Sequence, residues 1–256
     1  MNILALGDVV GVRAVEYLGE MLGAVKRKLC VDLTVVNGEN ATEIKGLSQY
    51  DAKRLLDCGV DLITGGNHIF GKRDLAPFLD SSPYVIRPAN YPGCAPGEGY
   101  KILTVGALRV LCINVSGCVY MEPLASPFDT VDAILERERG KYDISLIDIH
   151  AEATSEKYAL ARYFDGRIDI IFGTHTHVQT ADEQLLPDGS AYITDLGMCG
   201  PTGGVLGTDS QAVIERFRTH MPRTFFPSLT TIKAHGALFT IDDNTLRPVS
   251  VKRIKF

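Results

Sequence analysis

Eight side chains able to bind metals or move protons recur in this sequence at one kind of place. Asp8, Glu39 with Asn40, Asn67 with His68, His150, and His175 with His177 each follow closely on a short apolar run. Those runs, residues 3–6, 33–36, 62–64, 144–149 and 168–172, read as buried strands. In an open α/β sheet, ligands bind in the crevice outside the carboxyl ends of the strands. Five strand ends would then deliver carboxylates, carboxamides and imidazoles to one site, with four of the six histidines among them. Taken singly, each has an ordinary alternative: Asp8 as a turn or helix cap, the polar pairs as unremarked strand ends. His150 is harder to explain that way, because an unpaired imidazole after an apolar strand is costly to bury. Extended residues at i and i+2 point the same way, so His175 and His177 are expected to face one site. Gly7, Gly38, Gly65, Gly66 and Gly173 precede these residues and are expected to let the chain turn sharply. His220, in a polar helical stretch, and His235, in an apparent turn, read as structural or exposed.

No cysteine belongs to the set, and its donors are too many for one tetrahedral zinc. Two carboxylates, two carboxamides and three or four imidazoles suit a pair of borderline or hard ions: Mn, Fe, Zn or Co. Two ions about 3.5–4 Å apart serve in-line displacement at phosphorus, where a bridging hydroxide attacks and the ions neutralise the phosphoryl oxygens. One carboxylate is expected to bridge the ions, and one unligated histidine to act as general acid at the leaving oxygen. This chemistry needs no Ser or Cys nucleophile. The chain contains no GxSxG, no Walker loop and no GxGxxG after a strand.

The elements that must position these residues follow from periodicity. Apolar residues at 12, 15, 18, 22, 25 and 29 predict a helix over 12–29, and Ser48 should cap another through Leu56. Strands alternating with helices imply a parallel or mixed sheet with helices outside. Beyond about residue 85 the pattern favours strands, with a hairpin of 102–105 and 110–113 around Gly106-Ala107-Leu108-Arg109. Helices are expected at about 130–139, 155–164 and 213–218. The tail reads as antiparallel strands at 191–194, 230–233, 238–241 and 249–254. The Gly-rich stretch 197–204 reads equally as a loop at the site's rim or as a surface turn, and nothing in its spacing makes Cys199 a ligand.

Composition narrows the function classes. The chain has 256 residues, 45% hydrophobic, with 31 acidic against 26 basic side chains and a net charge of -5. That length buries a core without disulfide or metal staples. No linker or repeat interrupts it, so one domain over 1–256 is expected. The absence of a basic excess argues against a stable nucleic-acid complex, and Lys26-Arg27-Lys28 reads as a solvated helix face. The apolar runs are too short to span a bilayer, and the first residues read as a strand rather than a signal peptide. Six scattered cysteines without a CxxC pair suit reduced thiols in a cytoplasmic protein.

The order of the site residues resembles the calcineurin-like metallophosphoesterases, with motifs Asp-x-His, Gly-Asp, Gly-Asn-His, a lone His and Gly-His-x-His. Here the order is Gly7-Asp8, Gly38-Glu39-Asn40, Gly66-Asn67-His68, His150 and Gly173-Thr174-His175-Thr176-His177. Val10 replaces the first-motif histidine, and Glu39 the second-motif aspartate. Both departures, with the stretches 37–41, 150–157 and 173–182, are similar to the bacterial YmdB subfamily over nearly the whole chain. The resemblance implies an α/β fold, a four-layer αββα sandwich of mixed sheets, and a di-metal phosphodiesterase acting on 2′,3′-cyclic nucleotides. It also implies that Asp8, Glu39, Asn40 and His177 hold a first ion, Asn40 replacing the histidine missing at position 10. Glu39 would bridge to a second ion completed by Asn67, His150 and His175, and His68 would protonate the departing ribose oxygen. Two divalent or trivalent ions, Fe or Mn ahead of Zn, a small phosphodiester substrate and a homo-oligomer belong to the same implication. The alternatives are a broader phosphoesterase on another nucleotide or a phosphoprotein, and a cyclic-nucleotide-responsive regulator with incidental hydrolysis. An amidohydrolase or deaminase fits less well, since such barrels place HxH on an early strand and here it comes late.

Overall fold

The apolar runs become strands, and both their faces are covered. A computed structural model describes residues 1–43 and 45–256. The elements in chain order are β1 Asn2–Leu6, β2 Asp8–Val9, α1 Val12–Leu29, β3 Leu33–Asn37, α2 Gln49–Asp57, β4 Leu62–Thr64, α3 Leu75–Ser81, β5 Val85–Ile86, β6 Tyr100–Val105 and β7 Leu108–Ser116. They continue with α4 Pro127–Arg137, β8 Ile144–His150, α5 Thr154–Phe164, β9 Ile170–Thr174, β10 Gln184–Leu185, β11 Ala191–Ile193, β12 Met198–Pro201, α6 Ser210–Thr219, β13 Ile232–Ile241 and β14 Pro248–Lys255. One mixed sheet has the order β2-β12-β13-β1-β3-β4-β5, with β14 also paired to β13; the other has the order β10-β11-β9-β8-β7-β6.

Alternation along the strands builds the layers. In β1, Ile3 and Ala5 join Leu33, Val35 and Leu62 against Ile144, Leu146, Ile170 and Phe172 of the second sheet. Leu4 and Leu6 face the other way, under Leu18 and Leu22 of α1 and Leu55 of α2. The outer face of the second sheet, Leu111, Ile113, Ile147 and Ile171, is covered by Val131 of α4 and Leu160 and Phe164 of α5. The result is the four-layer αββα sandwich of mixed sheets that the resemblance implies. Burial on both faces is why these strands read as continuous apolar runs rather than alternating ones.

Local signals hold at α1, and at α2, where the Ser48 hydroxyl accepts the Asp51 N–H at 3.1 Å. Helix α4 begins earlier than expected, at Pro127, because Ser126 caps it and proline suits the first helical turn. The tail departs from the expectation in three ways. Residues 230–241 do not form two strands: β13 runs unbroken through His235 and Gly236, where a Cβ would lie 2.2 Å from the Ala5 carbonyl oxygen. Here glycine permits close strand approach, not a turn. Strand β11 pairs parallel with β9, not antiparallel. Within 197–204, Met198–Pro201 form the buried strand β12 between β2 and β13. Among the described residues, no helix is long and apolar enough to cross a membrane.

Candidate metal centre

The parallel strands of both sheets end at the same edge of the sandwich. Asp8 follows β1, Glu39 and Asn40 follow β3, Asn67 and His68 follow β4, His150 ends β8, and His175 and His177 follow β9. All eight converge. Glu39 lies at the centre, fully buried, with Oε1 3.3 Å from His150 Nε2, 3.2 Å from His68 Nδ1 and 3.1 Å from Asn40 Nδ2. On one side, His150 Nε2 meets Asn67 Oδ1 at 2.9 Å and His175 Nδ1 at 3.1 Å. On the other, His177 Nε2 lies 3.4 Å from Asn40 Nδ2 and 3.8 Å from Asp8 Oδ1. Two groups of donors therefore share one carboxylate. Asn40 is positioned through its backbone, which bridges to Val10. Its amide presents nitrogen to Glu39 and His177 and oxygen to His68, at 3.1 Å.

The donor set fits metal ions. Asp8 Oδ1 is fully buried and has no hydrogen-bond partner among the described residues, an arrangement that is expensive unless a cation completes it. Ligand atoms of Glu39, His150 and His175 lie within 4.8 Å of one another. Gly66 passes so close that a Cβ there would stand 2.3 Å from both Glu39 Oε2 and His150 Nε2.

The outer ring nitrogens are each held, which aims the inner ones. His150 Nδ1 meets Thr174 Oγ1 at 3.0 Å, and that hydroxyl donates to Asp148 Oδ1 at 2.7 Å. His175 Nε2 meets Glu152 Oε2 at 2.9 Å, and His177 Nδ1 meets the Leu206 carbonyl at 3.1 Å. Among these groups alone, burial raises the Asp8 carboxyl. Burial also opposes ionisation of Glu39, but His150 and His68 outweigh it and hold that carboxyl well below the usual range. Burial disfavours charge on His150 too, yet the Glu39 carboxylate pushes it up to about 9. His175 is pushed down to about 3, by burial and then by the neighbouring His150 charge. One imidazole thus takes the positive charge that the carboxylates demand, and its neighbour is left neutral.

Two expectations need correction. His175 and His177 are not extended residues sharing a strand face, because β9 ends at Thr174 and both have left-handed φ, 96° and 63°. Such conformations cost about 1–3 kcal/mol each and persist only where the surroundings impose them. Conversely, none of the five glycines before the site residues has positive φ. The sharp turn falls on the histidines themselves, and glycine allows close approach, as at Gly66. Sequence reasoning also missed the supporting residues Asp148, Asn37, Thr64, Thr174 and Asp195. Asp148 carried a usable signal, a carboxylate two residues before His150 in an apolar strand and so on the same face. Asn37 Nδ2 donates to its Oδ2 at 3.1 Å and Thr64 Oγ1 at 2.5 Å.

The cleft above these residues has a volume of about 310 Å³ and is walled by His68, Glu152, Thr176, Leu206 and Thr208 among others. Leu206 and Thr208, just beyond the 197–204 stretch, line the rim. Cys199 is buried within β12, its Sγ 3.7 Å from the His235 carbonyl, and its thiol is pushed up by burial.

Comparison with known proteins agrees with the family resemblance. The chain is 41% identical over 254 residues to the 2′,3′-cyclic-nucleotide 2′-phosphodiesterase of Bacillus subtilis (strain 168), covering 99% of this chain and 96% of that protein. It is similar to a solved protein of Thermus thermophilus, with TM-score 0.94 and 37% identity over 100% of this chain and 99% of that one. A solved structure described as a novel phosphatase, from Mycoplasma pneumoniae, also gives TM-score 0.94, at 34% identity over 100% of this chain and 93% of that one. The family of YmdB-like proteins matches residues 4–254, and the chain belongs to that family.

Proposed function

We propose that this chain is a metal-dependent phosphodiesterase that opens 2′,3′-cyclic nucleotides, breaking the bond from phosphorus to the 2′ oxygen and leaving a nucleoside 3′-monophosphate. The observation that carries the reading is Glu39, a fully buried carboxylate shared by two groups of metal donors whose other members come from both sheets. Asp8, Glu39, Asn40 and His177 would hold one ion, and Glu39, Asn67, His150 and His175 the other; rotation of the Asn40 amide would bring its oxygen to the first. When bound, the ions would supply Lewis acidity toward the phosphoryl oxygens and a water nucleophile at neutral pH.

The remaining work falls to the chain's own groups. His68 has Nδ1 engaged inward with Glu39, which leaves Nε2 to give a proton to the departing 2′ oxygen. The His68 N–H donates to Glu39 Oε2 at 2.8 Å, so the proton donor and the shared carboxylate are fixed to each other. The identity to the Bacillus subtilis enzyme supports the substrate.

The test is hydrolysis of 2′,3′-cyclic AMP by the metal-stripped chain titrated with Mn²⁺, beside His68→Ala and Glu39→Ala. Turnover that requires metal, falls about 10²–10⁴-fold in His68→Ala and vanishes in Glu39→Ala is expected. No turnover by the metal-loaded wild type would sink the substrate assignment.

A further inference from the structure

The stretch 150–157 contains one of the ligands named above, His150, and its last residue has no part in the chemistry above. Lys157 is fully buried in α5, and its ammonium lies 2.7 Å from Asp195 Oδ2, itself buried. The same Asp195 oxygen accepts the Thr176 N–H at 3.2 Å and the Thr176 hydroxyl at 2.8 Å. Its other oxygen accepts the Gly197 N–H at 2.8 Å. Thr176 is the residue between His175 and His177, the two histidines with left-handed φ. Both donors of the middle residue are thus tied down to one carboxylate, while the flanking side chains reach up to Glu39, Asn40 and Asp8. On the far side, the His175 N–H donates to Asp8 Oδ2 at 3.0 Å.

From this arrangement we infer that Lys157 and Asp195 are positioning residues for the metal centre, holding the 175–177 turn in the conformation that presents both histidines. The inference rests on the reading of His175 and His177 as metal ligands. A carboxylate is chosen at 195 because it accepts from four donors without offering a competing one. A lysine is required at 157 because a further carboxylate, buried near Asp8, would otherwise be unpaired. With Lys157 removed, the buried Asp195 carboxylate loses its counter-ion, it is no longer held in place beneath Thr176, and the turn is free to relax from its left-handed geometry.

The experiment is Mn²⁺ titration of the metal-stripped chain by calorimetry, with thermal unfolding of the same samples, for wild type, Thr176→Val, Lys157→Met and the double variant Lys157→Met/Asp195→Asn. Loss of an outer contact of this kind weakens metal binding by about 10–100-fold. Lys157→Met should fall in that range, and Thr176→Val should follow it in direction with the ion pair intact. The double variant should recover part of the loss, since the introduced carboxamide is neutral and still offers an oxygen to Thr176. A purely structural pair would lower the unfolding temperature and leave Mn²⁺ affinity within about twofold in the folded variants; that result overturns the inference. Should Lys157→Met fail to fold, Thr176→Val decides the matter by the same criterion. A wild-type chain that binds no Mn²⁺ overturns the ligand reading and this inference together, whereas wild-type binding with unchanged variants overturns this inference alone.

Discussion

His150 sits where two demands conflict. Its Nε2 faces Glu39, Asn67 and His175, so coordination there requires a neutral ring, yet the Glu39 carboxylate holds it protonated up to about pH 9 against the effect of burial. A metal ion held at that nitrogen would therefore compete with the proton. At pH 7, loading the stripped chain should release about one proton per second-ion site, and affinity should rise with pH until His150 has lost its proton near 9. Calorimetry in two buffers of different ionisation enthalpy measures that number, and release of none would mean His150 does not coordinate. The sign for stability is opposite. A histidine whose folded value exceeds its unfolded value stabilises the metal-free chain fully below about pH 6.5. That contribution is lost as pH rises through about 9, so ions gain affinity over the range in which the bare fold loses support from His150.

At the scale of elements, the site depends on how closely strands approach. Strand β13 lies against β1 at Gly236, with room for no Cβ beside the Ala5 carbonyl, and β1 leads directly to Asp8. Gly236→Ala should destabilise the chain by about 1–3 kcal/mol through overpacking, read as a lower midpoint in urea, and should disturb Asp8 more than His150. This feature also marks the limit of what the sequence shows. His235-Gly236 looks like a turn because glycine after a polar residue usually is one, and only the neighbouring strand reveals the other use. Helix α1 and strands β3, β4 and β8 were legible because their apolar spacing or continuous burial is written locally. The eight clustered residues were legible because each ends such a run. Strands β2 and β5, of two residues each, carry too few positions for a pattern, and the glycine-rich sequence around β12 hides that strand. Lys157 and Asp195 are 38 residues apart, and nothing local couples them.

Across the whole molecule, the two sheets supply different parts of the cluster. Asp8, Glu39, Asn40, Asn67 and His68 follow strands of the first sheet, while His150, His175 and His177 belong to the second. The distance between donors is therefore set by the packing between the sheets, where Phe239 of β13 meets Phe172 of β9 with ring centroids 6.1 Å apart. Phe164, equally buried, packs instead in the outer layer between α5 and the second sheet. Replacing either by leucine should cost about 1 kcal/mol, as other volume-changing but apolar core swaps do. The consequences for the site should differ. Phe239→Leu alters the layer that spaces one half of the donors from the other, although β13 carries no donor, and should weaken Mn²⁺ binding several-fold. Phe164→Leu should leave binding unchanged at the same loss of stability. Equal effects of the two variants on Mn²⁺ affinity, measured well below their unfolding temperatures, would show that each sheet's edge is organised locally and that the inter-sheet core contributes stability alone.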